Sequence, residues 1–426
     1  MTRSALHRRT ALVTTATLAG VLAGVGLAAP AHAAAPVAVA PARIINTGTG
    51  LPLTAIADDG TIYAAVSSSI EVWSPSSNGA PTITKTFTGV SNSGVPSLSS
   101  TGELAYAGSG GVKVLDTGQA DGPAVAVRTI TGANTQLDSP ADVAFTPDGS
   151  LWVFDVDPSG YELLRFAPGA DGNVAPVKQI GGSKTGLESD ASLGISTIAG
   201  LPGNAVAVAP AGVEPGVRVF GGTQSGNVKP IRSFQVTTPG PHFLSEGIAA
   251  DPQGRIYIGY GDIDGNRFGQ LDVFGPTATV DATPLLSLGG VKQRFQIPLV
   301  PTVAPNGTLA LTDATILDLG GSSSSYSRVK VFKPLFTKPG APQALQVKKA
   351  GKTLTMTWKA GTNPSGTPLG YSVVVTKGAK TVLSTKVGST RLVVKRASLP
   401  KGKLRVTVKA VNVGGTSGAA AKGFKN

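Results

Sequence analysis

The sequence of 426 residues contains no cysteine and three histidines, at His7, His32 and His242. Without cysteine no disulfide, thiolate nucleophile or lipid-bearing cysteine anchor can form, so the fold must depend on its apolar core. Two of the histidines lie in the leader described below, which excludes a histidine metal cluster elsewhere. A Ser–His–Asp triad would have to use His242, and the chain has no G-x-S-x-G element to supply its serine.

A second long apolar run is also absent, which predicts that no membrane span follows the N-terminal leader. The leader carries Arg3, Arg8 and Arg9, an apolar run over 11–29 and the small-residue site Ala31-His32-Ala33. This order is typical of a secretory signal peptide over 1–33 and favours it over a transmembrane anchor. We therefore expect a secreted protein, extracellular or held noncovalently at a cell surface, with a disordered segment over 34–40.

Long amphipathic helices are lacking, whereas short apolar runs alternate with turns, and this favours an all-β fold. A turn glycine recurs at intervals of about 40–55 residues, the repeat length of a propeller blade, at Gly60, Gly102, Gly149, Gly203, Gly254 and Gly307. An apolar strand follows each glycine, and a further strand follows that one. The pattern predicts a six-bladed β-propeller over 41–336. The last repeat lacks an outer strand, so we expect the N-terminal strand 43–48 to pair with it and close the ring.

The repeats resemble the NHL-type six-bladed propeller family. The likeness rests on the D-G-[ST]-[LI] turn, the V-x-V-F strand and the G-N-x-x-P element, which occurs at 172–176 and 226–230. The family's usual D-x-x-N-x-R run is interrupted here by inserted loops.

A Pro-rich linker over 337–342 precedes a second series of strands over 343–426. This part resembles a fibronectin type III domain, an immunoglobulin-like β-sandwich. The resemblance rests on Trp358 as the core tryptophan, on Gly370-Tyr371-Ser372-Val373 as a strand, and on the V-x-A-x-N-x-x-G-x-S ending at 408–417. Leu404 stands where the family often has the tyrosine of its tyrosine corner.

Acidic residues are missing from the C-terminal part, where residues 337–426 hold 14 lysines and three arginines. Such a domain attracts anions, and we expect it to adhere to an anionic cell-wall polymer or polysaccharide through Lys348, Lys349, Lys395, Arg396, Lys401 and Lys403. Two other interpretations stay open, a solvated basic face and docking on the acidic propeller of this or another chain. Nucleic acid would bind nonspecifically. We expect no specific nucleic-acid partner and a monomeric chain.

Carboxylates are the candidates for chemistry or ligand binding. If the blades are placed correctly, the loops before the inner strands and after the second strands share one face. These loops carry Asp142, Glu246, Asp155, Asp157, Asp262, Asp264 and Asp313. Asp142, Glu246 and Asp155 are the catalytic candidates, Asp155, Asp157, Asp262 and Asp313 the ligand-binding ones. We expect no cofactor. Asp262 and Asp264 weakly resemble a calcium loop, which keeps Ca²⁺ as the alternative, but aspartates at such positions also cap tight turns.

Two functions follow from these features. The first is a noncatalytic secreted protein whose propeller binds a ligand or partner protein while the basic domain tethers it. The alternative is an extracellular glycosyl hydrolase or polysaccharide lyase, with paired carboxylates in the propeller funnel. A funnel lined by apolar, serine or threonine side chains would favour the first.

Overall fold

The computed structural model describes residues 36–48, 50–158, 160–187, 197–210, 216–236, 243–262, 269–280, 282–289, 295, 299–318 and 323–426. The predicted leader 1–33, His242 and Asp264 lie outside these residues. In the described part the chain is all-β, with short 3₁₀ turns at Ala133–Thr135, Pro202–Asn204 and Arg396–Ser398. No helix among these residues is long and apolar enough to cross a membrane.

Residues 43–332 form six sheets. The first half of this region contains β1 (Arg43–Gly48), β2 (Leu53–Ile56), β3 (Ile62–Val66), β4 (Ser69–Trp73), β5 (Ile83–Thr88), β6 (Ser97–Leu98), β7 (Glu103–Gly108), β8 (Gly111–Asp116), β9 (Gly122–Pro123), β10 (Ala126–Ile130), β11 (Pro140–Phe145), β12 (Leu151–Asp157), β13 (Gly160–Phe166) and β14 (Lys178–Gly181). The second half contains β15 (Thr197–Gly200), β16 (Val206–Ala209), β17 (Gly216–Phe220), β18 (Arg232–Gln235), β19 (Phe243–Ala250), β20 (Ile256–Asp262), β21 (Gln270–Phe274), β22 (Leu286–Gly289), β23 (Leu299–Val303), β24 (Leu309–Asp318) and β25 (Ser323–Phe332).

Each of the six sheets has four antiparallel strands. In sheets 1 to 5 these strands follow one another in the order of the chain. Sheets 1 to 5 are β2–β5, β6–β8 with β10, β11–β14, β15–β18 and β19–β22, and β9 adds to sheet 1 in parallel. Sheet 6 contains β23, β24 and β25, and its outer strand is β1, with Ile45 opposite Val329. The N-terminal strand therefore pairs with the last sheet, as the sequence predicts.

The first strands of neighbouring sheets contact one another in a repeating order. β2 contacts β6, β6 contacts β11, β11 contacts β15, β15 contacts β19, β19 contacts β23, and β23 contacts β2. The six sheets are thus arranged around their first strands.

The sheets pack face to face through alternate side chains of their strands. In β12, Leu151 and Val153 pack against sheet 2, whereas Trp152 and Phe154 pack against sheet 4. All four are buried, because a strand with neighbours on both faces buries both sets of alternating residues. Each such side chain contributes about 1.5–3 kcal/mol to the free energy of folding.

A short segment of one sheet also pairs in parallel with the outer strand of the preceding sheet. We call these pieces clasp segments. Gly79 pairs with Ile45, Gly122 with Phe87, Gly172 with Ile130 and Gly226 with Ile180.

The N-terminal residues supply a further clasp segment. Val37 pairs in parallel with Leu288, and its N–H donates to the Ser287 carbonyl at 2.8 Å. Val39 is buried against sheets 5 and 6. The expectation of disorder over 34–40 therefore does not hold for Val37 and Val39, because sheet 5 offers them a strand edge and an apolar site that a local reading of the sequence does not reveal.

Residues 343–425 form two sheets over one core. The strands are β26 (Gln343–Ala350), β27 (Thr353–Lys359), β28 (Gly370–Lys377), β29 (Lys380–Val387), β30 (Arg391–Lys395), β31 (Lys403–Asn412) and β32 (Gly415–Lys425). Sheet 7 has the order β26-β27-β30, and sheet 8 has the order β29-β28-β31-β32. Their inner faces share a buried cluster in which the rings of Trp358 and Tyr371 lie 5.3 Å apart.

The segment between sheets 6 and 7 is held on both sides. The Phe336 ring lies under the Arg255 guanidinium, with 4.2 Å between the carbon Cζ and the ring centroid. The Thr337 carbonyl accepts a hydrogen bond from Asn412 Nδ2 at 3.0 Å. Gly414 approaches the Phe336 carbonyl so closely that an added Cβ would lie 2.2 Å from its oxygen. Backbone contact at this point therefore requires glycine.

Candidate functional site

A cavity of about 140 Å³ is lined by the first strand, or the residues next to it, of each of the six sheets. The lining is mainly apolar, with Ser97 and Thr302 among its polar residues, and the residues described there include no carboxylate. None of the described sequence-predicted acids therefore lines this cavity.

Asp142, a catalytic candidate, is fully buried between three sheets. Its Oδ1 accepts a hydrogen bond from the Val95 N–H, and its Oδ2 accepts one from the Ile198 N–H, both at 2.8 Å. Burial raises the pKa of Asp142 to about 7, against the opposing effect of these hydrogen bonds. Because the donors belong to the neighbouring sheets on either side, the carboxyl group joins the first strands.

Asp155 is also fully buried, near the end of β12. Its Oδ2 accepts a hydrogen bond from the Asp138 N–H at 2.9 Å, whereas Oδ1 has no hydrogen-bond partner. Burial raises the pKa of Asp155 to about 6, with a further contribution from the charges of Glu162 and Asp138. Glu162 lies directly opposite Asp155 on β13.

Glu162 is not among the site residues predicted from the sequence. It is 8% exposed, and its Oε2 accepts a hydrogen bond from Gln179 Nε2 at 2.8 Å. Burial raises the pKa of Glu162, the hydrogen bond opposes this, and the charge of Asp157 adds to it. The register of the predicted β12–β13 hairpin could have identified Glu162, because it places this residue across from Asp155.

Glu162 and Asp157 open onto a second cavity, of about 370 Å³, at the outer edge of sheet 3. We call it the β14 cavity. It is formed by the β12–β13 hairpin, the end of β14 and a clasp segment of sheet 4, with the lining residues Asp157, Gly160, Tyr161, Glu162, Gln179, Gly181, Gly182, Thr185, Ser225, Gly226 and Asn227. Of the predicted ligand-binding residues, Asp157 therefore lies in a cavity.

The clasp segment closes one side of this cavity. Asn227 Oδ1 accepts a hydrogen bond from the Lys184 N–H at 2.7 Å, and Gly226 donates its N–H to the Gln179 carbonyl at 2.6 Å. Thr185 Oγ1 donates to the Gly182 carbonyl at 2.7 Å. These bonds hold the wall formed by the two sheets, and they use much of the hydrogen-bonding capacity of Asn227 and Thr185.

Asp313, another predicted ligand-binding residue, is engaged by cations of its own sheet. Its Oδ2 lies 2.6 Å from Lys330 Nζ and 3.4 Å from an Arg328 guanidinium nitrogen. Lys330 is buried, and its Nζ lies 4.7 Å from the centroid of the Phe295 ring. Burial lowers the pKa of Lys330, against the effect of the Asp313 charge. The group is arranged as a buried ion pair of sheet 6.

The remaining predicted acids belong to segments of which less is described. Glu246 and Asp262 lie in β19 and β20, but their side chains lie outside the described part, as does all of Asp264. Within the described residues, no group of three or more histidine, cysteine, aspartate or glutamate side chains is placed to hold a metal ion.

The basic residues of the C-terminal part are distributed over two opposite sheet faces. Strand alternation, with Val406, Val408 and Ala410 buried, turns exposed basic residues outward from sheet 8. We call this set the sheet 8 face, and it comprises Lys386, Lys403, Arg405, Lys409 and Lys425. The sheet 7 face comprises Lys348, Arg391 and Lys395.

The structure does not bring the six predicted anion-binding residues together. Lys348 and Lys395 lie on the sheet 7 face, whereas Lys403 lies on the sheet 8 face. Lys349 lies opposite the buried Leu354 and therefore on the other face of sheet 7 from Lys348. Lys401 lies in the turn before β31. Arg396 is half-buried, and its Nε donates to Asn426 Oδ1 at 3.2 Å. Sequence position alone does not tell which lysines of two sheets share a face.

No protein-family model matches the chain, and no curated protein matches it. Solved structures similar to it include the extracellular domain of a hybrid two-component system from B. thetaiotaomicron, at 12% identity and a TM-score of 0.39, over 87% of this chain and 49% of that one. The chain thus spans about half the length of that bacterial domain. The mitotic checkpoint complex is similar at 10% identity and a TM-score of 0.42, over 69% of this chain and 96% of that one. An FNIII domain described as human is similar at 21% identity and a TM-score of 0.19, over 21% of this chain and 80% of that one.

Proposed function

We propose that the chain is a secreted, noncatalytic binding protein that adheres to anionic polymers of a cell surface through the sheet 8 face. A six-bladed propeller of the NHL type, over 41–336, serves as a platform for a ligand or partner protein. A fibronectin type III domain over 343–426 is the adhesion module. The leader 1–33 directs secretion.

The propeller assignment is supported by the arrangement of the six sheets. Their first strands contact one another in a cyclic order, and β1 supplies the outer strand of sheet 6. The clasp segments repeat the same parallel pairing along the chain, and Val37 continues it at the N terminus. Such an arrangement leaves few open strand edges.

The type III assignment is supported by the two sheets over one core. Sheets of three and four strands pack around Trp358, Tyr371 and Val408, as the strands of such sandwiches do. Leu404 is buried in this core, so an apolar contact stands in place of the tyrosine of the tyrosine corner.

The sheet 8 face is the observation on which adhesion rests. Five exposed cations lie on one sheet, between small side chains such as Ser372, Thr407 and Ala421. No acidic residue exists after residue 318 to neutralise them. A flat surface of one charge sign holds a flexible polyanion through many weak contacts, each of which salt screens.

The described carboxylates lend the hydrolase alternative little support. Asp142 uses both oxygens in hydrogen bonds within the protein, and Asp313 is paired with Lys330. The cavity between the first strands is mainly apolar. We expect no hydrolysis when the chain is incubated with wall polysaccharide, and release of reducing ends would contradict the noncatalytic assignment.

Retention of the full chain on cell-wall fractions tests the adhesion. We expect strong retention in about 0.05 M salt and at least a tenfold smaller bound fraction in 1 M salt, where the screening length falls to about 3 Å. The variant Lys403→Ser, Arg405→Ser, Lys409→Ser should lose most of its retention at low salt.

A matched variant separates the sheet 8 face from net charge. Lys348→Ser, Arg391→Ser, Lys395→Ser removes the same charge from the sheet 7 face and should retain most of the binding. Equal loss in both variants would mean that net charge alone drives retention. Retention that ignores salt and both variants would overturn the adhesion proposal.

A further inference from the structure

The β14 cavity is large enough for a small organic ligand. Its volume of about 370 Å³ lies within the range of ligand pockets, about 300–1,000 Å³. Four glycines, Gly160, Gly181, Gly182 and Gly226, contribute backbone to the wall where other residues would place side chains. Glycine at these positions leaves space in the cavity that a side chain would occupy.

The charge of the cavity is negative. Glu162 and Asp157 line it, and its described lining includes no lysine, arginine or histidine. Glu162 is more than nine-tenths buried, and its Oε2 accepts a hydrogen bond from Gln179 Nε2. A carboxylate at a cavity wall can accept a charge-assisted hydrogen bond from a cationic ligand that enters the cavity.

Asp155 adds charge behind this wall. It lies opposite Glu162 in the β12–β13 register, is fully buried and leaves Oδ1 without a partner. Within the described part of the chain, neither Asp155 nor Glu162 forms an ion pair with a basic side chain. A positive charge at the cavity is therefore favourable for both carboxylates.

We propose that the β14 cavity binds the protonated amine of an amino sugar, with Glu162 accepting a hydrogen bond from the ammonium group. An ammonium group carries one charge and three donors. A calcium ion instead prefers six to eight oxygen ligands, many of them carboxylates, and the described residues offer no metal-binding group of three. The cavity, with two carboxylates at its wall, suits the organic cation.

Tyr161 favours a sugar over a simple amine. It lines the cavity, and its ring is held against Phe154 at a centroid distance of 5.7 Å and an interplanar angle of 19°. A fixed aromatic ring attracts a cation over its face and packs against the apolar side of a sugar ring.

Calorimetric titration of the full chain tests this proposal, with glucosamine at about pH 7, where the amine is still largely protonated and the carboxylates are more fully ionised than at lower pH. N-Acetylglucosamine is the matched neutral probe. We expect glucosamine to bind at least about tenfold more tightly, because acetylation removes the charge that the carboxylate recognises. Equal affinity for the two sugars, or binding of neither, would overturn the proposal without using any variant.

Two variants assign the binding to Glu162. Glu162→Gln keeps the side-chain shape and should weaken glucosamine binding by about tenfold, since the charge-assisted hydrogen bond is lost. Asp171→Asn removes one negative charge from an exposed clasp position of sheet 3, outside the cavity, and should change the affinity less than twofold. Equal effects of the two variants would overturn the assignment, as would displacement of glucosamine by Ca²⁺. None of these results depends on the sheet 8 face, so this proposal and the adhesion proposal fail separately.

Discussion

At the scale of single residues, Asp142 shows how a carboxylate can serve the structure. It accepts backbone hydrogen bonds from the two flanking sheets, and burial raises its pKa to about 7. A raised pKa in the folded state means that the unfolded chain releases this proton first. The contribution of Asp142 to the free energy of unfolding is therefore largest in acid and decreases as the pH rises from about 4 to about 7.

We predict that Asp142→Asn removes this pH dependence. Between pH 5 and 7.5 the unmodified chain should lose about 2 kcal/mol through Asp142, whereas the variant should not. The variant should also be less stable at pH 5, by about 1–3 kcal/mol, because an amide can accept only through its oxygen and leaves one backbone N–H facing an NH₂ group. Urea unfolding at both pH values measures the two effects. Parallel pH profiles for both proteins would show that another group titrates.

Gly414 is the second informative residue, because its backbone touches the segment that follows sheet 6. We predict that Gly414→Ala separates this contact and lowers the free energy of unfolding by about 1–3 kcal/mol, since the added Cβ cannot fit beside the Phe336 carbonyl. Limited proteolysis within 337–342 should become faster.

Gly388 provides the control for this substitution. A Cβ at Gly388 would meet no atom within 4 Å, so Gly388→Ala should leave both stability and proteolysis nearly unchanged. Similar behaviour of the two alanine variants would show that the close approach at Gly414 has no energetic weight.

At the scale of elements, the N-terminal segment acts as two pieces of neighbouring sheets. Val37 pairs with β22 of sheet 5, and β1 pairs with β25 of sheet 6. We compare a chain that begins at Ala42, which keeps β1 but lacks Val37 and Val39, with one that begins at Ala35. We predict that the free energy of unfolding of the shorter chain is lower by about 2–4 kcal/mol. The loss combines one buried valine with one backbone hydrogen bond. Equal unfolding midpoints in thermal denaturation would contradict a structural role for this clasp segment.

The elements were also the features that the sequence predicted well. A turn glycine followed by apolar alternation is a local signal, so the strands after Gly149 and Gly254 could be placed without knowledge of their neighbours. The missing outer strand of the last repeat led to the pairing of β1. The pairing of Val37 was not predicted, because a single parallel bridge to a distant strand produces no local sequence pattern.

The candidate site was harder to predict, because it depends on contacts between sheets. Repeat spacing placed Asp142 near the first strand, but its two N–H donors come from the sheets on either side. Glu162 was not predicted because the cavity that it lines is completed by Asn227 of the next sheet. Its position opposite Asp155 was available from the hairpin, but the cavity was not. For the basic residues, the assignment of lysines to a common face required the register of sheets 7 and 8.

At the scale of the whole molecule, charge is divided between the two parts of the chain. Residues 337–426 carry 17 basic and no acidic residues, whereas all 24 acidic residues lie before them. Within the C-terminal part every pair of charged side chains is therefore repulsive. Repulsion of this kind lowers stability and is screened by salt, with a Debye length of about 30 Å at 0.01 M and about 3 Å at 1 M.

We predict that the melting temperature of the chain rises by several degrees between about 0.01 M and 0.5 M NaCl, because screening relieves this repulsion. Calorimetric melting measures the effect. The variant Lys403→Ser, Arg405→Ser, Lys409→Ser should show a smaller rise, since fewer charges repel. A melting temperature that falls with salt would indicate instead that attraction between the acidic and basic parts dominates.

The pairing of Ile45 with Val329 has a consequence for how the chain is made. The strand synthesised first among those described completes its sheet with a strand synthesised much later. The contacts between them have very high sequence separation, and such contacts slow folding. A nascent polypeptide with this connectivity cannot complete sheet 6 while the ribosome is still adding the final repeat. β1 is therefore without its partner strand until synthesis of the chain has passed β25.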